Sequence, residues 1–289
     1  MGREASGGPG KGRAGGRGAA GGARARRGAA GGEAEKVTPA QRRRALEIAA
    51  ALDERYPHAH CELAHTNPLE LLVATILSAQ ATDASVNRVT PALFERFPTA
   101  ADYAASTPEQ IQGYIRTIGL FRNKARAIHA ATTEIAGRFG GRVPETMEEL
   151  LSLRGVARKT ANVVLGNAFG RNEGFVVDTH IERLSKRFGL VAWEAAVPAI
   201  ERRLMALFPR ARWCELSHRF IFHGRYTCKA RGVTCSMDPI CTRFGVACEA
   251  RDIPRARPGR GPAGPGASPI RPAGPPSSRP RGGAGRATG

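Results

Sequence analysis

Between residues 37 and 250, apolar side chains recur at steps of three and four, as in Leu69, Leu72, Val73, Ile76 and Leu77, or Ala45, Ile48, Ala49 and Leu52. This spacing gathers them on one face of a helix. Period-two alternation, the mark of a half-buried strand, is nearly absent, and Phe175-Val176-Val177 is too short to argue for a sheet. The apolar stretches are preceded by helix starts. Thr38-Pro39, Asn67-Pro68 and Thr107-Pro108 each place a side-chain oxygen, able to cap free amides, ahead of a proline suited to the first helical position. Asn67 with Glu70, Thr107 with Gln110 and Thr146 with Glu149 have the separation of a capping box or its Asn variant. The pattern predicts an all-α core of roughly ten helices joined by short loops, with no internal repeat.

Composition adds a partner. Lys and Arg number 44 against 25 Asp and Glu, a formal charge of +19, which calls for a polyanion such as nucleic acid. The charge is unevenly placed: residues 1–36 carry +5 and residues 251–289 carry +7, leaving +7 for the middle. Both outer segments are built from Gly, Ala, Pro and Arg with almost no large apolar residue, so they are expected to be disordered. Their arginines reflect either drift in coding composition or non-specific attraction to phosphate. No apolar run approaches the roughly 18 residues of a membrane span, and the N-terminus lacks the apolar stretch of a signal peptide. An intracellular, cytoplasmic protein is expected.

The chemistry centres on Leu153-Arg154-Gly155-Val156-Ala157-Arg158-Lys159-Thr160-Ala161-Asn162-Val163-Val164-Leu165, which reads as the end of one helix, a tight turn and the start of another. A glycine-bearing turn at a helix N-terminus presents free amides at the positive end of the dipole, a seat for a DNA phosphate that reads no base. Taken alone, it could be a non-catalytic DNA-binding hairpin. Beyond it comes Val177-Asp178-Thr179-His180, ahead of a helical run from Ile181 to Phe188.

Together these segments resemble the helix-hairpin-helix and the Val-Asp-Thr-His of the endonuclease III family of DNA glycosylases. Leu77-Ser78-Ala79-Gln80-Ala81-Thr82-Asp83, Ile118-Gly119-Leu120 with Asn123-Lys124, and His223-Gly224-Arg225-Tyr226-Thr227-Cys228 follow the family's order as well. The usual hairpin reads Leu-Pro-Gly-Val-Gly-Arg-Lys-Thr-Ala. Arg154 replaces the proline and Ala157 the second glycine, which predicts a restricted turn or a phosphate held slightly farther off. The resemblance covers residues 37–250. It implies two helical subdomains with the active site between them: residues 60–170, with the hairpin at 150–170, and residues 37–59 plus 171–250.

The resemblance further implies a monomeric base-excision repair enzyme, both glycosylase and AP lyase, acting on oxidised pyrimidines in damaged double-stranded DNA. Lys159 is its expected nucleophile. An amine attacking the anomeric carbon expels the base and leaves a Schiff base that draws electrons for β-elimination. A lysine of ordinary pKa, about 10.4, is neutral in about one molecule in 2,500 at pH 7, so the site must favour the free amine. The helix N-terminus, adjacent Arg158 and cover by bound DNA would all do so. A phosphate contact is the plainer role for a lysine. Asp178 can stabilise oxocarbenium charge and move protons, or cap the helix that follows it; one carboxylate can do both.

Because a stacked base is out of reach, the nucleotide must be flipped. The family pattern implies that Gln80 fills the vacated space and Leu120 wedges into the opposite strand, although a buried leucine at a helix end is the other reading. Gly155, Val156, Ala157, Arg158 and Thr160 would grip the backbone. His180 is either a contributor to DNA contact or an ordinary helix-start histidine. A non-enzymatic iron-sulfur damage sensor is the competing function. An adenine-mismatch glycosylase is opposed by the presence of Lys159.

The last expectation concerns metal. Cys228, Cys235, Cys241 and Cys248 stand with six, five and six residues between them, whereas the family's four cysteines have gaps of six, two and five and hold a [4Fe-4S] cluster. The resemblance implies that cluster here. Zinc on four thiolates is the rival, disfavoured because structural zinc sites show at least one gap of two to four residues. Cys61 and Cys214 are expected to be free, buried thiols.

Overall fold

The computed structural model describes residues 36–231 and 237–246. Cys235, Cys248 and the outer segments expected to be disordered, apart from Lys36, lie outside the described residues. Among the described residues there are twelve α-helices and no strand. In chain order they are α1 (Pro39–Arg55), α2 (Pro68–Ser78), α3 (Asp83–Arg96), α4 (Ala100–Ala104), α5 (Pro108–Ile115), α6 (Phe121–Arg138), α7 (Met147–Ser152), α8 (Arg158–Phe169), α9 (Thr179–Arg187), α10 (Val197–Leu207), α11 (Trp213–Phe222) and α12 (Pro239–Phe244). A π-turn, His223–Thr227, prolongs α11. The excess over ten comes from pieces such as α4 and α7, five and six residues long, too short to show a helical period.

The helix starts behave as their side chains dictate. Thr38 and Thr107 close full capping boxes with Gln41 and Gln110. Asn67 caps α2 through its own side chain, while Glu70 accepts from the amide and hydroxyl of Thr66 at 2.6 and 2.9 Å. At Thr146, the Oγ1 accepts from the Glu149 amide and donates to that residue's carboxylate.

Buried side chains fall into two clusters. The first spans Leu63 to Leu165 and surrounds α2, whose Leu69 and every residue from Leu71 to Leu77 are buried. A helix apolar on all sides must be wrapped by others, and α3, α6 and α8 do this. Each such leucine or isoleucine stabilises the fold by about 1.5 to 3 kcal/mol. The second cluster joins Ala45, Ile48, Ala49 and Leu52 of α1 to α9, α10, α11 and α12. Near their junction α8 and α11 approach closely: a Cβ on Gly166 would stand 2.8 Å from Cys214 Sγ.

Candidate active site

The hairpin is α7, a turn and α8. Gly155 has φ +84°, and a Cβ there would lie 2.7 Å from Ala127 Cβ, so only glycine fits. Ala157 is different. It is the N-cap of α8 at φ −94° and ψ 166°, ordinary extended backbone that alanine adopts without strain. The loss of the second glycine therefore does not restrict the turn. Alanine supplies no side-chain cap, so the first amides of α8 stay open to an incoming anion. Val156 is buried beneath the turn, and Arg154, Gly155, Ala157, Arg158 and Lys159 are exposed around it.

Lys159, the second residue of α8, opens onto a cavity of about 220 Å³ that Asp178 also lines, together with Gln80 and Thr160. Asp178 is the N-cap of α9. Its Oδ1 accepts from the amides of His180 and Ile181 at 2.9 and 2.8 Å, which fixes the carboxylate and keeps Oδ2 out of the cap. Arg158 is not the bare positive neighbour that the sequence suggests. Its Nε donates to both carboxylate oxygens of Glu201 at 3.0 and 3.2 Å, so its charge is largely balanced.

Two non-glycine residues take left-handed backbone, Gln80 at φ +54° and Leu120 at φ +59°. Such conformations cost about 1 to 3 kcal/mol each and collect at functional sites. Both side chains are exposed, Leu120 at 57%. The buried-leucine reading of Leu120 is thereby excluded. A residue without an assigned role in the sequence links the two: Lys124, buried in α6 four positions after Leu120, donates from Nζ to Leu77 O at 2.8 Å. That bond holds the end of α2 just before Gln80. Burial holds the Lys124 ammonium below its usual range.

Sequence reasoning also missed the cavity's ionic edge. Arg225 Nη1 donates to Asp83 Oδ2 at 2.8 Å and to Glu62, which also accepts from the Tyr226 hydroxyl. Glu62 lies in a loop before α2, where no periodicity marks it. Cys61, Cys214 and His218 also line the cavity. Both thiols are free and partly buried, and burial pushes Cys214 up to about 11. His180 lines an adjacent depression instead, where its Nδ1 accepts from Arg183 Nη2 at 3.2 Å.

A second group of donors lies at the π-turn. His223, Cys228 and Cys241 are all buried, and their ligand atoms lie within 4.8 Å of one another. Cys228 and Cys241 were expected here from the sequence; His223 was not. His223 Nε2 is 3.2 Å from Cys241 Sγ, and Arg187 Nη1 donates to Cys228 Sγ at 3.0 Å. Buried thiolates and imidazole form a donor set for a metal cofactor.

Residues 73–210 match the model of the HhH-GPD superfamily of base excision DNA repair proteins. Endonuclease III of Synechocystis is 51% identical over 197 residues, covering 68% of this chain and 89% of the relative. The chain belongs to the endonuclease III family. Endonuclease III of Bacillus subtilis is 48% identical over 189 residues, 65% of this chain and 86% of its own. A non-covalent endonuclease III–DNA complex is 42% identical with a TM-score of 0.69, covering 75% of this chain and 98% of the other. A trapped endonuclease III–DNA covalent intermediate has the same identity and score. As an endonuclease III family member, the chain is a base-excision repair DNA glycosylase and AP lyase with DNA as partner. No described helix is long and apolar enough to cross a membrane.

Proposed function

We propose that the chain removes oxidised pyrimidines from damaged double-stranded DNA, with Lys159 as nucleophile and Asp178 as its partner. The carrying observation is that these residues, from different helices, open onto one cavity. Lys159 Nζ, as the free amine, bonds to the sugar's anomeric carbon while the glycosidic bond breaks and the base departs with a proton. The Asp178 carboxylate faces the developing positive charge and relays protons from the amine. The sugar ring then opens as the bond from the anomeric carbon to the ring oxygen breaks and that oxygen takes a proton, leaving a protonated Schiff base. Loss of a proton from the adjacent carbon passes its electron pair to the Schiff base, and that pair expels the 3′ phosphate as the carbon–oxygen bond breaks.

The turn from Gly155 to Thr160, with the open first amides of α8, would grip phosphate, Gln80 would occupy the space of the flipped nucleotide, and Leu120 would wedge the opposite strand. His180 would contact DNA beside the cavity. The two buried clusters support a division into residues 60–170 and residues 37–59 plus 171–250, with the cavity between them. A cytoplasmic, nucleoid-associated monomer completes the reading. A metal centre at Cys228 and Cys241 would brace the chain; in the family's [4Fe-4S] form Cys235 and Cys248 would complete it.

Borohydride trapping on duplex DNA containing thymine glycol tests the assignment. Lys159→Gln is expected to lose both base release and the trapped adduct, and Asp178→Asn to slow both by about 10²- to 10⁴-fold while binding persists. Adduct formation by Lys159→Gln at the parent level would refute it.

A further inference from the structure

Among the described residues, the donor set at the π-turn does not fit a four-iron cube. In that cluster each thiolate ends on its own iron, so the ligand sulfurs stand farther apart than two ligands of a single ion. Two ligands of one tetrahedral ion, with bonds of about 2.0 to 2.3 Å, are separated by about 3.5 to 3.8 Å. Here the His223 and cysteine ligand atoms all lie within 4.8 Å of one another, and His223 Nε2 is 3.2 Å from Cys241 Sγ. The three donor atoms are thus gathered as closely as ligands of one ion and share a direct His223–Cys241 contact.

His223 is placed as a ligand would be. It is fully buried, with Nε2 toward the sulfur and Nδ1 3.1 Å from the Tyr56 hydroxyl, whose oxygen is 2.7 Å from Thr227 Oγ1. One ring nitrogen held by a polar neighbour while the other faces the metal is the usual second-shell arrangement of a coordinating histidine. The chain spacing agrees. Gaps of six, five and six between cysteines contain no short ligand pair, but four residues separate His223 from Cys228, within the range of structural zinc sites. Charge also balances, since two thiolates neutralise a dication and imidazole adds none. The Arg187 guanidinium, donating to Cys228 Sγ and to Lys229 O, further stabilises the sulfur as thiolate.

We infer that His223, Cys228 and Cys241 are three of the four ligands of a single tetrahedral ion, zinc by the chemistry of the donors, in place of the four-iron cluster implied by the family pattern. The ion would pin the π-turn to α12. It takes no part in base removal, so the inference stands apart from the assignment of Lys159.

The full chain, produced in cells supplied with both iron and zinc and purified without oxygen, answers the question by metal and sulfide analysis. One zinc per chain with no acid-labile sulfide is expected. Iron and sulfide in equal amounts near four per chain would overturn the inference, as would a folded chain with neither metal. Cobalt(II) then probes the ligands without reference to activity. The parent is expected to show the intense visible bands of tetrahedral cobalt with thiolate ligands, and His223→Gln to bind cobalt at least about 100-fold more weakly. Unchanged cobalt affinity in His223→Gln would remove the histidine from the site.

Discussion

Within the cavity, single side chains are held in defined states by their neighbours. Asn167 Nδ2 donates to Val163 O, so its Oδ1 must accept from His218 Nε2, 2.7 Å away, and that nitrogen carries the proton. Burial pushes His218 down to about 4, His60 adds to the effect, and Glu62 opposes it. The folded state therefore resists a proton that the unfolded chain accepts at its ordinary value of about 6.5. Stability is lost as pH falls through the window from 6.5 to 4, by about 2 kcal/mol at pH 5. His218→Gln should lose less stability between pH 7 and pH 5 than the parent, measured by urea midpoints; an equal loss in both would show the idea to be wrong. His218 was not legible in the sequence, and Lys124 stood in a matching segment without a role. A lone histidine reads as surface until a fold surrounds it, and the bond of Lys124 to a distant carbonyl appears only in the fold, whereas Lys159 and Asp178 carried chemistry suited to their segments.

Helices and turns were read from the chain where a capping residue and several turns of apolar spacing coincided, as at α1, α2 and α5. The hairpin glycine was legible for a similar reason, because a tight turn needs it. What the spacing did not reveal is how α6 fastens the end of α2. The Lys124 to Leu77 bond crosses 47 positions and joins the two left-handed residues, Gln80 and Leu120, through one buried contact. Replacing Lys124 with Met keeps the stem but leaves a buried carbonyl without its donor, a cost of about 1 to 3 kcal/mol. Lys124→Met is expected to lower the urea midpoint by a corresponding amount and to slow excision, since Gln80 loses its fixed platform. Parent-like stability and rate together would count against this link. The metal donors show the opposite limit. Counting cysteines found Cys228 and Cys241 but passed over His223, because a histidine five positions before a cysteine acquires meaning only when a π-turn folds it back.

At the scale of the molecule, charge and core are arranged separately. Residues 1–36 and 251–289 carry +12 of the +19, while the cavity edge near Arg225 is partly acidic through Glu62 and Asp83. Removing both segments should therefore flatten the dependence of duplex affinity on salt and leave single-turnover excision little changed. Identical salt slopes for the full and shortened chains would show that these arginines do not meet phosphate. The all-α class was evident from the chain because helical periodicity is local. The two separate buried clusters were not visible in that periodicity, because which helices share a core depends on contacts between distant segments.

The second cluster unites α1, near the beginning of the chain, with α9 to α12, near its end. A nascent chain emerging from the ribosome can thus close the uninterrupted first cluster while α1 still waits for its partners. Within this order α1 is buried only after α9 to α12 have been made, and the cavity, lined from both clusters, is complete only once α11 has joined them.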